Sequence, residues 1–255
     1  MDPKIEEFSY GFWKIKAQRG AILKSFEVDN LQTELGFAPP EMTFGKNFIS
    51  IYYKDSPIYG FFTKDALETV GKGPGELMQV SFAGDWIKSR SKTGESFPVV
   101  SPYDWTYYTE YQGTLLDRKR HFEEIRDHIP ARKILEAGTN LWYNELILFE
   151  DELADNGKAM FDVRVRVVKG HLILLARLVM RLDNVIVRVN ETRIYIDLDG
   201  KRIMKDFRKK ESNYESVIKR IPLGSDKARL LDDNNWLSES LPLLYHKVSE
   251  LQDAL

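Results

Sequence analysis

Cysteine is absent from this 255-residue sequence, which excludes a disulfide framework, a thiolate metal site and a cysteine nucleophile. Histidine is scarce, with four residues, and His121 and His128 in a charged stretch are weak evidence for a metal site. No GxSxG elbow, HExxH pair or set of protein-kinase motifs is present. The sequence therefore offers no recognised catalytic motif, and we predict no metal or cofactor.

The sequence also lacks an excess of charge of either sign. Its 37 Lys and Arg residues against 39 Asp and Glu residues give a net charge of −2, whereas nucleic-acid-binding proteins usually carry a basic excess. One alternative stays open, because six arginines on predicted strands lie beside an aromatic run, as in β-sheet proteins that stack bases. These arginines are Arg164, Arg166, Arg177, Arg181, Arg188 and Arg193.

Long apolar runs are missing too. The longest, residues 172–176, is far shorter than the roughly 20 residues that a membrane-spanning helix needs. The N-terminal residues are charged and lack the apolar core of a signal peptide. We therefore expect a cytoplasmic protein, with the nucleus as a second location and no membrane partner.

The sequence does contain the pattern of a globular α+β protein, with 43% hydrophobic and 30% charged residues. In the second half, the turn at residues 155–157 contains Asn-Gly, a strong hairpin signal between strands 146–154 and 160–168. Three further strands separated by turns are residues 172–182, 185–196 and 202–207. No linker or repeat divides the chain, so we predict a single domain over residues 1–255, an antiparallel meander with helices packed against it.

Shorter elements are predicted outside the meander. We expect a hairpin in which Arg19-Gly20 joins strands 8–16 and 21–26, followed by a helix from the N-cap Asp29 to Gly36. Two extended segments and a short helix capped by Thr63 follow, namely residues 48–53, 58–62 and 64–70. A last helix over residues 242–251 is predicted from apolar residues at helical spacing: Leu241, Leu244, Tyr245, Val248 and Leu251.

Residues 101–116 are the most informative stretch of the chain. As a strand, they would place Tyr103, Trp105, Tyr107 and Tyr111 on one face. Tyr and Trp combine an apolar ring with a polar group and therefore collect at binding surfaces. The stretch predicts either a recognition surface or an aromatic core strand whose hydroxyl groups are satisfied internally.

Long blocks of the sequence are shared with a known family. They are PYDWTYYTEYQGTLL, LILFEDELADNG and RLVMRLDNVIVRVNETRIY. WKI near Trp13, PPEMTFG at residues 39–45 and TKDAL at residues 63–67 follow in the same order. On these motifs the chain resembles the TIPRL family over nearly its whole length, the regulators of TOR signalling that bind type 2A protein phosphatases.

The resemblance implies a non-enzymatic, monomeric regulator of type 2A catalytic subunits. The family's α+β fold holds the extended C-terminal tail of the phosphatase in a cleft, and it is connected to TOR signalling through the Tap and alpha-four phosphatase chaperones. The tail ends in aromatic and leucine side chains and a free carboxylate. Aromatic and aliphatic surface together with arginine side chains can bind such a ligand.

The resemblance and the chemistry of the tail together give the expected site residues. Six are expected to bind the tail: Asp65, Leu141, Arg188, Val189, Arg193 and Phe207. Asp65 matches a family position directly, whereas Val189 and Phe207 stand where the family can have methionine and tyrosine. Leu141, or Asn140, corresponds to an aliphatic contact, and the two arginines are expected to hold the carboxylate. Tyr103, Asp104 and Trp105 belong to the family motif.

Structural alternatives apply to the same residues. Asp65 can favour a helix N-terminus electrostatically. Val189 and Phe207 can be ordinary sheet residues, and Arg188 and Arg193 can be ordinary surface arginines.

Overall fold

The computed structural model describes residues 3–71, 107–136 and 138–252. These residues form thirteen strands and six short helices, and the strands assemble into two antiparallel sheets. The predicted α+β class with an antiparallel meander is therefore confirmed. The motif residues Tyr103, Asp104 and Trp105 lie outside the described residues.

The elements are numbered in chain order. The strands are β1 (Lys4–Tyr10), β2 (Trp13–Arg19), β3 (Met42–Thr43), β4 (Phe48–Tyr53), β5 (Ser56–Phe62), β6 (Thr114–Leu115), β7 (Phe122–Glu124), β8 (Trp142–Asp151), β9 (Gly157–Val168), β10 (His171–Leu182), β11 (Ile186–Asp197), β12 (Arg202–Asn213) and β13 (Leu243–Leu251). The helices are α1 (Ser25–Leu35), α2 (Thr63–Glu68), α3 (Ala131–Glu136), α4 (Tyr214–Ile218), α5 (Lys227–Asp232) and α6 (Asn234–Ser240).

The larger sheet has eight strands in the order β3-β8-β9-β10-β11-β12-β13-β7. Its centre is the meander predicted from the turn residues, and the strands from β8 to β12 pair with their neighbours in sequence. Asn184 and Lys201 adopt positive φ in the turns after β10 and β11. Strong turn signals between alternating strands therefore specify this part of the fold.

The smaller sheet has five strands in the order β1-β2-β4-β5-β6. Its first hairpin turns at Gly11, with a φ of 57°, and not at Arg19-Gly20. The predicted turn was wrong because β2 continues to Arg19 through its pairing with both β1 and β4. Residues 21–26 are consequently not a strand, and α1 begins within them.

Helix α1 starts four residues before the predicted N-cap Asp29. The N-cap is Lys24, and its backbone N–H donates a hydrogen bond to the Glu27 carboxylate at 2.9 Å. This contact caps the helix upstream of Asp29. The predicted end is confirmed, since Gly36 has a φ of 81° and its N–H donates to the Gln32 carbonyl oxygen. Of all the described helices, none is long and apolar enough to span a membrane.

The predicted C-terminal helix over residues 242–251 was wrong, because residues 243–251 form strand β13. Apolar side chains in this segment suit either periodicity, and a local pattern could not decide between them. β13 pairs with β12 over most of its length and with β7 at its end, which satisfies backbone groups that a helix would leave open on β12. Leu244 and Tyr245, expected in a buried stripe, are exposed.

The two sheets share one hydrophobic core. The face of the larger sheet that contributes to this core is called the inner face, and the opposite face is called the outer face. Helices α4 to α6 cover one part of the outer face around Val187 and Val189. Ile134 of α3 covers another part around Tyr195 and Met204. The layers therefore run from the five-stranded sheet through the eight-stranded sheet to helices α3 to α6, whereas α1 and α2 contribute Leu31, Ala66 and Leu67 to the shared core.

Candidate functional site

The aromatic stretch enters the described structure at residue 107, where it joins the two sheets. Residues 107–113 are irregular, and not the predicted strand, because Tyr107 has a φ of 42° and Gly113 a φ of 96°. A Cβ atom at position 113 would lie 2.6 Å from the Tyr59 ring. Glycine is therefore required both for its positive φ and for this close approach. We call residues 107–113 the bridging segment.

The bridging segment is anchored to both sheets by side chains. Asn190 of β11 donates an amide hydrogen to the Thr109 carbonyl oxygen at 2.8 Å. Lys209 of β12 forms an ion pair with Glu110. The buried Tyr111 ring packs edge-on against Phe61 of the smaller sheet and lies 6.1 Å from the Phe161 ring of the larger one. For Tyr107 and Tyr111, the core alternative foreseen for the aromatic stretch is confirmed, since both are buried.

Asp65 is connected to the bridging segment by a chain of hydrogen bonds. It lies in the first turn of α2, and its carboxylate accepts the Thr114 hydroxyl. The Thr114 hydroxyl lies 2.7 Å from that of Tyr111. Burial, with a smaller contribution from the Asp65 charge, raises the pKa of Tyr111. Asp65 therefore fixes the point where the bridging segment meets the smaller sheet, and its place in the first turn also suits the helix dipole.

Arg188 contacts the bridging segment from the inner face of β11. Its guanidinium lies 4.8 Å from the centre of the Tyr108 ring, a cation–π distance, and its Nε donates to the Glu211 carboxylate. The Tyr108 hydroxyl donates to Glu110 at 3.2 Å, and burial is the main cause of its raised pKa. The charge of Arg188 is therefore already compensated by Glu211.

Phe207 lies on the inner face of β12 and is surrounded by lysines. Lys205 and Lys209 occupy the adjacent positions on the same face of β12, and Lys247 pairs directly with Phe207 from β13. We call Lys205, Lys209 and Lys247 the lysine cluster. Phe207 itself is only 3% exposed, and its ring lies 6.1 Å from that of Tyr245, which is 46% exposed. Tyr245 therefore presents the accessible aromatic surface here.

The three lysines differ in how their charges are compensated. Lys209 is paired with Glu110, and Lys247 Nζ lies 3.4 Å from the exposed carboxylate of Glu124. Lys205 Nζ lies 4.4 Å from the centre of the Phe122 ring, and within the described residues it pairs with no carboxylate. Burial, with a smaller contribution from Lys247, lowers the pKa of Lys205 to about 8. Lys205 is therefore the uncompensated cation of the cluster.

The side chains of Val189 and Arg193 lie on the outer face of the larger sheet, whereas that of Phe207 lies on the inner face. Val189 is fully buried beneath α4 to α6, and Arg193 Nη2 lies 2.9 Å from Glu191. Successive residues of a strand point to opposite faces, so neither side chain reaches the lysine cluster from this position. The structure thus separates two pairs of residues that the sequence analysis had grouped, Val189 and Arg193 from Arg188 and Phe207.

The outer face also carries a row of alternating charges that crosses four strands. Asp162, Arg177, Glu191 and Arg208 stand directly opposite one another on β9, β10, β11 and β12. Arg177 Nε lies 3.0 Å from Glu191, whose side chain is almost fully buried. Burial alone would raise the pKa of Glu191, but Arg193, Arg177 and Lys210 reverse this effect and lower it.

The predicted strand arginines mostly have acidic partners, which bears on the nucleic-acid alternative. Five of the six form ion pairs within the described part of the chain, namely Arg164, Arg177, Arg181, Arg188 and Arg193. Arg166 instead donates to the Asn140 side chain. A polyanion would have to compete with these carboxylates, so the geometry does not favour a base-stacking sheet.

Leu141 lies away from the other candidate residues. It is 48% exposed, precedes β8 and donates its backbone N–H to Val167 of β9. Three strands separate β8 from the strand of Phe207, a distance of about 19 Å at the usual strand spacing. Leu141 and Asn140 therefore belong to a different region of the surface. No group of three potential metal ligands was found within the described ranges.

Sequence reasoning did not identify the lysine cluster. The signal that could have revealed it is the alternation Lys205-Phe207-Lys209. It becomes apparent only when β12 is extended beyond its predicted end at Phe207. Lys247 could not be placed, since its segment had been assigned to a helix. The pairing of Lys247 with Phe207 is a contact between residues 40 positions apart and depends on the register of β13.

Comparison with known proteins gives a consistent result along the chain. Residues 42–218 match the model of the TIP41-like family. The chain is 64% identical to a protein of Schizosaccharomyces pombe named type 2A phosphatase activator tip41, over 97% of this chain and 98% of that protein. It is 34% identical to the TIP41-like protein of Homo sapiens, over 93% and 86% of the two chains. It is 32% identical to the type 2A phosphatase activator TIP41 of Saccharomyces cerevisiae, over 94% and 73%.

Proposed function

Because this chain belongs to the TIP41-like family, we propose that it is a non-enzymatic regulator that binds the catalytic subunit of type 2A protein phosphatases. The observation that carries this proposal is the 64% identity, over nearly the full length of both chains, to a relative named as a type 2A phosphatase activator. The protein acts in TOR signalling, in the cytoplasm and the nucleus, as a monomer. The Tap and alpha-four phosphatase chaperones are its second partners.

The phosphatase engages this protein through its extended C-terminal tail, and the tail binds where the bridging segment meets β11, β12 and β13. Three features support this region. Tyr108 and Tyr245 offer aromatic surface, the lysine cluster supplies positive charge, and Asp65 positions the bridging segment through Thr114. Arg188 and Phe207 lie in the same region. Under this proposal they hold the tyrosine and the lysines in place.

Val189, Arg193 and Leu141 take different roles under the same proposal. Val189 and Arg193 support the inner face from behind, through the packing of α4 to α6 and through the ion pair with Glu191. Leu141, on its separate surface, provides a second contact with the body of the phosphatase.

A binding titration tests the proposed function directly. The purified full-length chain is titrated against an isolated type 2A catalytic subunit, with and without its C-terminal tail. Deleting the tail is expected to weaken binding by about tenfold or more, because loss of a single binding hot spot already has an effect of this size. Equal binding of both forms would remove the tail from the proposal, and absence of binding to either form would refute the function itself.

Replacing Asp65 tests the connection to the bridging segment. Asp65→Leu removes the acceptor of the Thr114 hydroxyl, and tail-dependent binding is expected to weaken by about tenfold, the equivalent of a hydrogen bond to a charged group. Glu68→Leu is the matched control, because Glu68 lies exposed on the same helix. The affinity is measured together with the melting temperature. Unchanged affinity of the Asp65 variant, at an unchanged melting temperature, would exclude Asp65 from the site.

A further inference from the structure

A cleft of about 300 Å³ separates helix α1 from the loop between β3 and β4 and from the start of α2. The residues that α1 contributes to this cleft follow one helical face, namely Glu27, Asn30, Leu31 and Glu34. A helix on the surface of a protein normally turns an apolar stripe toward the body, but only Leu31 of α1 is buried. The helix therefore faces the cleft mainly with charged and amide groups.

Ion pairs cross the cleft at both of its ends. Lys46 Nζ lies 3.4 Å from the Glu27 carboxylate, and Lys64 of α2 pairs with Glu34. The two glutamates are seven residues apart on α1, which places the pairs roughly 10 Å from each other along the helix. Both pairs reach solvent, where such pairs contribute little to stability. The Lys46–Glu27 pair is also longer than a strong charge-assisted hydrogen bond, so it is the one that a ligand opens at the lower cost.

Apolar surface lies between the two ion pairs. Leu31 is buried and Leu23 is half-buried, and both line the cleft. Leu23 packs closely on Gly45, where an added Cβ atom would lie 2.7 Å from Leu23 Cδ2. Asn30 is exposed beside this surface, and its amide can both donate and accept hydrogen bonds. The cleft thus combines an apolar floor with groups of both charges.

We propose that this cleft binds a free α-amino acid with an aliphatic side chain. The ligand inserts between Lys46 and Glu27, with its carboxylate on Lys46, its ammonium on Glu27 and its side chain along Leu23 and Leu31. Charge complementarity selects this occupant, because a zwitterion satisfies both members of the opened pair, whereas a ligand of one sign would leave one of them without a counter-ion. The length of roughly 10 Å between the pairs suits a single amino acid.

Calorimetric titration of the full-length protein tests the ligand class. L-Norleucine is expected to bind with a Kd of about 1 mM or below, a range open to a ligand of this size. N-Acetyl-norleucine lacks the ammonium and norleucinamide lacks the carboxylate, and each is expected to bind about tenfold more weakly or worse, the effect of losing a charge-assisted hydrogen bond. Glycine keeps both charges but lacks the aliphatic chain, and its affinity is expected to fall by about tenfold or more.

A matched pair of variants places the ligand in the cleft. Glu27→Gln removes the charge but keeps the helix cap, because glutamine also serves at this capping-box position, and it should weaken norleucine binding by about tenfold. Glu7→Gln is the control, since Glu7 forms a 2.9 Å ion pair with Lys16 outside the cleft, and its affinity should equal that of the wild type. The melting temperatures of both variants are measured alongside.

Three results would overturn the inference. The first is no binding of norleucine to the wild-type protein, and the second is equal binding of norleucine and its two charge-blocked forms. The third is wild-type affinity of the Glu27→Gln variant at an unchanged melting temperature. The proposed function stands or falls separately, because these titrations contain no phosphatase.

Discussion

Replacing Glu191 with glutamine is expected to lower the free energy of unfolding by about 3–5 kcal/mol at neutral pH, the usual cost of breaking a buried ion pair by removing one partner. Glu191 is fully buried in the charge row of the outer face. It contacts Arg177 and Arg193, and it also accepts the Ser238 hydroxyl of α6 at 2.9 Å. The substitution keeps the shape of the side chain but removes the negative charge that the buried Arg177 contacts at 3.0 Å.

The effect depends on pH in a direction fixed by the lowered pKa of Glu191. A carboxyl group whose pKa is lower in the folded protein contributes stability above its unfolded pKa, near 4.3, and loses that contribution as the pH falls through its folded pKa. The difference between wild type and variant should therefore be largest at neutral pH and shrink below about pH 4. Denaturant unfolding at both pH values measures it.

Glu34→Gln is the control for this experiment. Glu34 forms an ion pair with Lys64 on the surface, where both side chains are about half exposed, and such pairs contribute at most about 1 kcal/mol. Equal, small losses for the two variants would mean that solvent screens the charge row as it screens a surface pair. A loss in Glu191→Gln that did not depend on pH would point to steric disruption, and not to the charge.

The contrast between the meander and the C-terminus shows what the sequence can predict. Around the turn at residues 155–157, the turn residues and the alternation of the flanking strands agree, so local information was sufficient to predict β8 to β12. Residues 243–251 have side chains compatible with a helix or a strand. Their conformation is decided by the open edge of β12, which local sequence does not reveal.

The candidate site shows the same limit more strongly. Asp65 and Arg188 were each predicted singly as site residues. Their relation to the bridging segment depends on Thr114 and Tyr108, which contact them only in the folded chain. The division of Val189 and Phe207 between opposite faces follows from strand register. A one-residue change in register exchanges the faces, so a list of family positions could not show which residues face the same ligand.

Replacing Phe161 with alanine is expected to destabilise the protein by about 3–5 kcal/mol, the cost of deleting a buried aromatic side chain. Phe161 of β9 stacks on Phe149 at a centroid distance of 5.9 Å, and it lies beside Tyr111 of the bridging segment. Removal of the ring would therefore leave a cavity between Phe149 in the hydrophobic core and Tyr111 in the bridging segment.

Two control variants test whether the expected loss of stability comes from lost packing in the core. Phe161→Leu fills most of the volume and should cost less than about 1.5 kcal/mol. Phe26→Ala removes a ring that is 61% exposed on α1, and a change within about 0.5 kcal/mol is expected there. Denaturant unfolding of the three variants, compared with wild type, gives the ranking. A Phe161→Ala variant as stable as Phe26→Ala would contradict a close-packed core beneath Tyr111. The bridging segment would then depend on its polar anchors, Asn190 and Lys209, for its attachment to the larger sheet.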